Sequence, residues 1–104
     1  MTLEELKAVL DKTKLQVSYS SVPIEEAVKP YIVYWQTGVR NFAADGIAYY
    51  SRKTVTISLY TDQRDRTSEG LIEAELAKAH IYWTKTNDFL EDQKVFETIY
   101  TIEV

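Results

Sequence analysis

The residues best suited to moving protons or holding metals are one histidine and a scatter of carboxylates. His80 is the only histidine. A general base needs a reacting group within reach and a partner that orients it, and its sequence neighbours Ala79 and Ile81 offer neither. It falls at the end of a predicted helix, where a positive imidazolium is favoured by the helix dipole alone. Carboxylate pairs occur at Glu4–Glu5, Glu25–Glu26, Glu73 with Glu75, and Glu91–Asp92. Acid–base catalysis requires two carboxylates facing one cleft in unlike environments, whereas these pairs sit on predicted solvated faces or turns. Asp62, Asp65 and Glu69 are spaced loosely like ligands for a hard cation, without the regular loop spacing and turn glycine of such sites. They define an alternative of another class, a small divalent-ion-dependent nucleic-acid-processing domain. Ser18, Ser20, Ser21 and Ser51 lack a glycine-flanked nucleophile elbow. Gly38, Gly46 and Gly70 are the only glycines and build no phosphate-binding loop. The expectation is no catalytic, cofactor-binding or metal-binding residue, and therefore no enzyme.

Two stretches are better suited to contact than to catalysis. The first, Val39 to Asp45, places Arg40, Asn41, Phe42 and Asp45 between two glycines. The second, Asp62 to Arg66, alternates charge and offers Arg64, Asp65 and Arg66. Arginine and aromatic residues are common interface anchors, so these seven residues are candidate assembly contacts. The plainer reading is a pair of solvated connections, with Phe42 tucked into the core.

The frame that positions both stretches is Lys53 to Asp62. Val55, Ile57 and Leu59 alternate with Thr54, Thr56, Ser58 and Tyr60, the period-two mark of a half-buried strand. A helix follows from Thr67 or Ser68 to about Ala79, with Ile72, Leu76 and Ala79 inward and Glu69, Glu73 and Lys78 in water. Upstream, Thr2 to Asp11 reads as a helix capped by Thr2 and Glu5, with Leu3, Leu6, Val9 and Leu10 in one apolar stripe. Leu15 to Tyr19 is a short strand. Ser20 to Lys29 is a linker that has room for a helical turn over Ile24 to Val28. Tyr31 to Thr37 is dense enough to be a central strand covered on both sides. Gly38 to Gly46 reads as a loop, after which Ile47 to Thr61 is either two strands or one long, bent strand. Ile81 to Thr86 and Gln93 to Val104 form a terminal hairpin, turning at Asn87–Asp88 or at Glu91–Asp92. The order α, β, β, β(β), α, β, β gives an α+β class: a mostly antiparallel sheet of about four to six strands with two helices packed on it.

At 104 residues the chain is expected to be a single domain over 1–104, able to bury a core without staples. It has no cysteine, so disulfides and thiolate zinc sites are excluded. The formal net charge of −4, with acids and bases interspersed, argues against sequence-specific nucleic-acid binding. No run approaches the ~18 apolar residues of a membrane span. MTLEELKAVL lacks the basic and apolar regions of a signal peptide, which leads to the expectation of a cytoplasmic protein. Eight tyrosines and two tryptophans suit both sheets and protein–protein contacts.

Taken together, Pro30-Tyr31-Ile32-Val33-Tyr34, Asn41-Phe42-Ala43-Ala44-Asp45, Leu59-Tyr60-Thr61-Asp62 and the closing strand with Val95, Ile99, Tyr100 and Ile102 give the chain a family likeness. In this order, after an opening LEELKAVL helix, it resembles the tail-terminator and tail-completion proteins of tailed bacteriophages and prophages. The resemblance implies a small α+β subunit that assembles as a ring, typically six-fold, on the end of the tail tube. Its expected partners are other copies of itself, the tail-tube protein and the head connector or stopper, with no membrane and no cofactor. A neighbouring stopper-like component of the head–tail junction is the close alternative, and a stand-alone host interaction module of similar layout is a third reading. The resemblance places the protein in the host bacterial cytoplasm during assembly and then in the virion, and transfers no catalytic residue.

Overall fold

The computed structural model describes residues 2–20, 29–44, 48–91 and 95–104, with the backbone alone for 40–44 and 48–51. Helix α1 (Leu3–Asp11) begins at a full capping box: Thr2 Oγ1 accepts from the Glu5 amide at 3.1 Å, and Glu5 Oε1 accepts from the Thr2 amide at 3.2 Å. Two orphan amides are thus satisfied reciprocally. The strands are β1 (Gln16–Tyr19), β2 (Tyr31–Ala44), β3 (Ala48–Thr61), β4 (Trp83–Leu90) and β5 (Val95–Glu103), and α2 (Arg66–Lys78) lies between β3 and β4.

The five strands form one sheet in the order β1-β2-β3-β5-β4. Only β1 and β2 run parallel; the other three pairings are antiparallel. The class read from the sequence, two helices on a mostly antiparallel sheet, is the one observed. Strand β3 hands over to α2, which crosses the sheet and delivers β4 beyond β5, so the terminal strand slots between β3 and β4.

Period-two alternation decides which face the helices cover. Register places Ile32 opposite Leu59, Tyr34 opposite Ile57, Ile57 opposite Tyr100, and Val55 opposite Ile102. These residues meet Leu6 and Leu10 of α1 and Ile72 and Leu76 of α2 in one continuous core. Each fully buried aliphatic side chain of this kind contributes about 1.5–3 kcal/mol. On the other face Val33 and Ser58, directly paired, are both buried. Beside them Tyr31 stacks on its cross-strand partner Tyr60, with ring centroids 5.0 Å apart. The expectation that Tyr31 to Thr37 is buried on both sides therefore holds for Ile32, Val33 and Tyr34.

Three expectations are corrected. Gly38 to Ala44, read as loop, is strand: one register shift between Gln36 and Gly38 absorbs an extra residue, and pairing then continues to Ala44 opposite Ala48. A bulge lets a strand continue past residues of poor strand propensity when a partner strand is present. The question left open over Ile47 to Thr61 resolves to one strand over Ala48–Thr61. Asn87 and Asp88 are not a turn but mid-strand, opposite Thr98 and Glu97; the chain turns at Glu91. Glu69 is not in water but 3% exposed. The helical turn proposed over Ile24 to Val28 lies outside the described residues.

Candidate assembly surface

Strand β5 ends its pairing with β3 at Glu103 opposite Thr54, and two bonds between Lys53 and Val104, at 2.8 and 2.9 Å, close the ladder. On the other side, β1 covers β2 only as far as Tyr34. Beyond those limits β2 and β3 pair only with each other among the described residues. Five rungs, from Arg40 opposite Arg52 to Ala44 opposite Ala48, project as a two-stranded arm. At ~3.3 Å per residue the arm is about 17 Å long, which contributes to a molecule measuring 50 × 27 × 22 Å. The candidate contacts Arg40, Asn41 and Phe42 belong to this arm, opposite Arg52, Ser51 and Tyr50. Asp45 lies outside the described residues.

The second candidate stretch sits at the opposite end of β3, so the fold separates the two groups and does not merge them into one patch. Asp65 caps α2: its carboxylate accepts from the Ser68 amide at 3.0 Å and from the Ser68 hydroxyl at 2.9 Å. Those bonds hold its carboxyl below the usual range. Arg64 is half exposed and reaches the buried Glu69 at 3.5 Å, and Arg66 is exposed in the first turn of α2. Asp62 is exposed and pairs with Lys29 at 3.0 Å. The three carboxylates of the cation alternative are thus engaged separately: Asp62 with Lys29, Asp65 with Ser68, and Glu69 with Arg64 and Lys85. Among the described residues no three acidic or histidine side chains converge as a metal site.

A polar cluster under α2 escaped the sequence reading. Lys85 of β4 donates to Glu69 at 3.1 Å and to Glu73 at 2.9 Å, and the Tyr100 hydroxyl donates to Glu73 at 2.8 Å. Burial pushes the Glu73 carboxyl up, but Lys85 and Tyr100 more than offset that, and it lies below its ordinary value. Lys85 is raised by hydrogen bonds to Glu73 and Glu69, and burial and Glu73 push the Tyr100 hydroxyl up. The available signal was Lys85 sharing the parity of Ile81 and Trp83 at the start of the strand. Its register partner, Tyr100, faces the core. The arrangement is an ion-paired brace between α2 and β4 and offers no nucleophile–base pair.

His80 is accounted for by backbone geometry. It adopts φ 59°, the left-handed conformation that ends α2. The Ile81 amide bonds Leu76 O at 2.9 Å and the His80 amide bonds Ala77 O at 3.0 Å, the double bond of a Schellman cap. Ile81 then packs into the core with Leu76. Beside it a shallow groove at the root of the arm is lined by Arg52, Lys53, His80, Tyr82 and Trp83, with Tyr82 94% exposed.

No protein-family model and no curated protein matches the chain. Among solved structures, the fold is similar to that of a chain in the virion of a native gene transfer agent particle. The two are 14% identical with a TM-score of 0.65, and the match covers 97% of this chain and 87% of the other. The likeness takes in the whole α+β layout and is one of fold.

Proposed function

We propose that this chain is a non-enzymatic assembly protein of a phage-like virion, acting as the tail terminator at the head–tail junction. Subunits form a ring on the end of the tail tube, stop its growth and offer a docking face to the head connector. The single observation that carries this reading is the near end-to-end fold likeness to a gene transfer agent virion chain. It agrees with the phage-tail resemblance of the strand and loop sequences, which was drawn from different information. The molecule also has the anatomy that a ring subunit needs. Heterologous contacts require two different surfaces on one subunit, and the arm and the Asp62 to Arg66 segment stand at opposite ends of β3. Among the described residues, Lys85, Glu69, Glu73 and Tyr100 form a brace between α2 and the sheet.

The test is size-exclusion chromatography with multi-angle light scattering, followed by negative-stain microscopy, with and without purified tail tubes. Rings in solution or caps on tube ends are the expected result. A strict monomer that never binds a tube end would overturn the reading. Rings that bind the head connector but not the tube would move the protein to the stopper position.

A further inference from the structure

We propose that neighbouring copies are joined by strand addition, the outer edge of the arm of one copy pairing with β4 of the next. This rests on the ring reading and names the contact that builds it.

Among the described residues, both halves of the contact have main chain that no other strand pairs with. Strand β4 is the end of the sheet order, and among the described residues only β5 pairs with it. Its eight residues run without a register shift from Trp83 to Leu90. Sheet edges left open to solvent are normally guarded by proline, bulges, short length or outward lysine. Strand β4 has no proline and no bulge, and its lysine, Lys85, is turned inward onto Glu69 and Glu73. The edge is therefore long and regular, with Asp88 as its one outward charge. The arm is the converse case. A two-stranded ribbon with nothing else beside it is marginally stable in water at best, and among the described residues five rungs of this one pair with no third strand. A third strand would stabilise it, and β4 is long enough to supply one.

Charge selects the pairing. The arm carries Arg40, Arg52 and Lys53, whereas the β4–β5 hairpin presents Asp88, Glu91 and Glu97 with only Lys85 against them among its described residues. Arm against arm brings like charges together; β4 itself holds one lysine and one aspartate, so its preference for the arm comes from the neighbouring Glu91 and Glu97. Arm against β4 is the attractive combination, and it is heterologous, so each copy uses both surfaces and the chain of contacts can close.

Complementary variants test this directly. One replaces residues 40–52 by an Asn-Gly turn between Val39 and Lys53, removing the arm but keeping β4. The other, Asn87→Pro, removes an amide that faces away from β5 and so blocks the β4 edge but keeps the arm. Circular dichroism establishes that each is folded. Each alone is expected to be monomeric, while an equimolar mixture gives a one-to-one heterodimer and nothing larger, because one arm and one edge remain. Hydrogen exchange on the wild-type ring supplies a measurement free of substitutions: amides of β4 and of the arm gain at least tenfold protection over the monomer. Rings that persist in either folded variant, or a wild-type ring whose β4 amides exchange as in the monomer, overturn strand addition and leave the ring reading standing. A wild-type chain that never assembles, even on tail tubes, overturns both.

Discussion

At the residue scale, His80 is informative because a histidine occupies a position that glycine suits better. With φ 59° it sits in the left-handed region, which costs an L-residue roughly 1–2 kcal/mol. The Schellman bonds at Ile81 and His80 need that geometry whatever the side chain. His80→Gly is therefore expected to stabilise the fold by about 1 kcal/mol, read as a higher urea midpoint at unchanged slope. Lys85 behaves oppositely. Its ammonium is the shared partner of Glu69, 3% exposed, and Glu73. Lys85→Met keeps the stem but removes the ammonium shared by the buried Glu69 and the partly exposed Glu73. The expected loss is about 1–3 kcal/mol, the cost of leaving a buried acceptor without its partner. Equilibrium denaturation checks it; a cost below 1 kcal/mol would mean that Arg64 alone satisfies Glu69.

At the element scale, the brace between α2 and β4 ties stability to pH at both extremes. The Glu73 carboxyl lies below its ordinary value of 4.5, first resisted by burial and then lowered further by Lys85 and Tyr100. A depressed acid stabilises the fold above its unfolded value, and that contribution is lost as pH falls through the folded one. Lys85 is raised above its ordinary 10.5. A raised base contributes fully below its unfolded value and loses the contribution as pH rises through the folded one. Thermal midpoints should thus be level in the neutral range, falling below about pH 4.5 and again above about pH 10.5. Glu73→Gln should flatten the acid limb specifically. An unchanged acid limb in that variant would assign acid unfolding to other carboxylates, Asp65 at the α2 cap foremost.

At the scale of the whole molecule, the arm runs past the limits of β1 and β5, and its removal tests whether it serves the fold or assembly. Replacing the arm by a tight turn should move the thermal midpoint by less than about 4 °C, the shift expected for under 1 kcal/mol in a domain of this size, while abolishing assembly. A large loss of stability would make the arm part of the fold instead of an assembly device. Charge reversal sharpens the point. Arg40→Glu is expected to impair assembly at unchanged stability. Arg64→Glu should cost stability as well, because Arg64 reaches the buried Glu69. Light scattering and thermal melts on the same samples separate the two effects.

The sequence by itself determined the element order, the α+β class, the capped first helix and the inward residues of β3, because each follows from local periodicity or local capping chemistry. The tertiary structure decided what needed a partner distant in sequence. Gly38 to Ala44 became strand only because Ala48 to Lys53 pairs with it. Glu69 became buried only because α2 lies over Lys85 and Tyr100. Asp65, read as a possible contact or cation ligand, is committed to its own helix. The candidate residues offered as loops around a central strand turned out to be an arm at one end of β3 and a helix start at the other. Period-two alternation specifies a face, but only pairing specifies how far a strand runs and where its edges are left open.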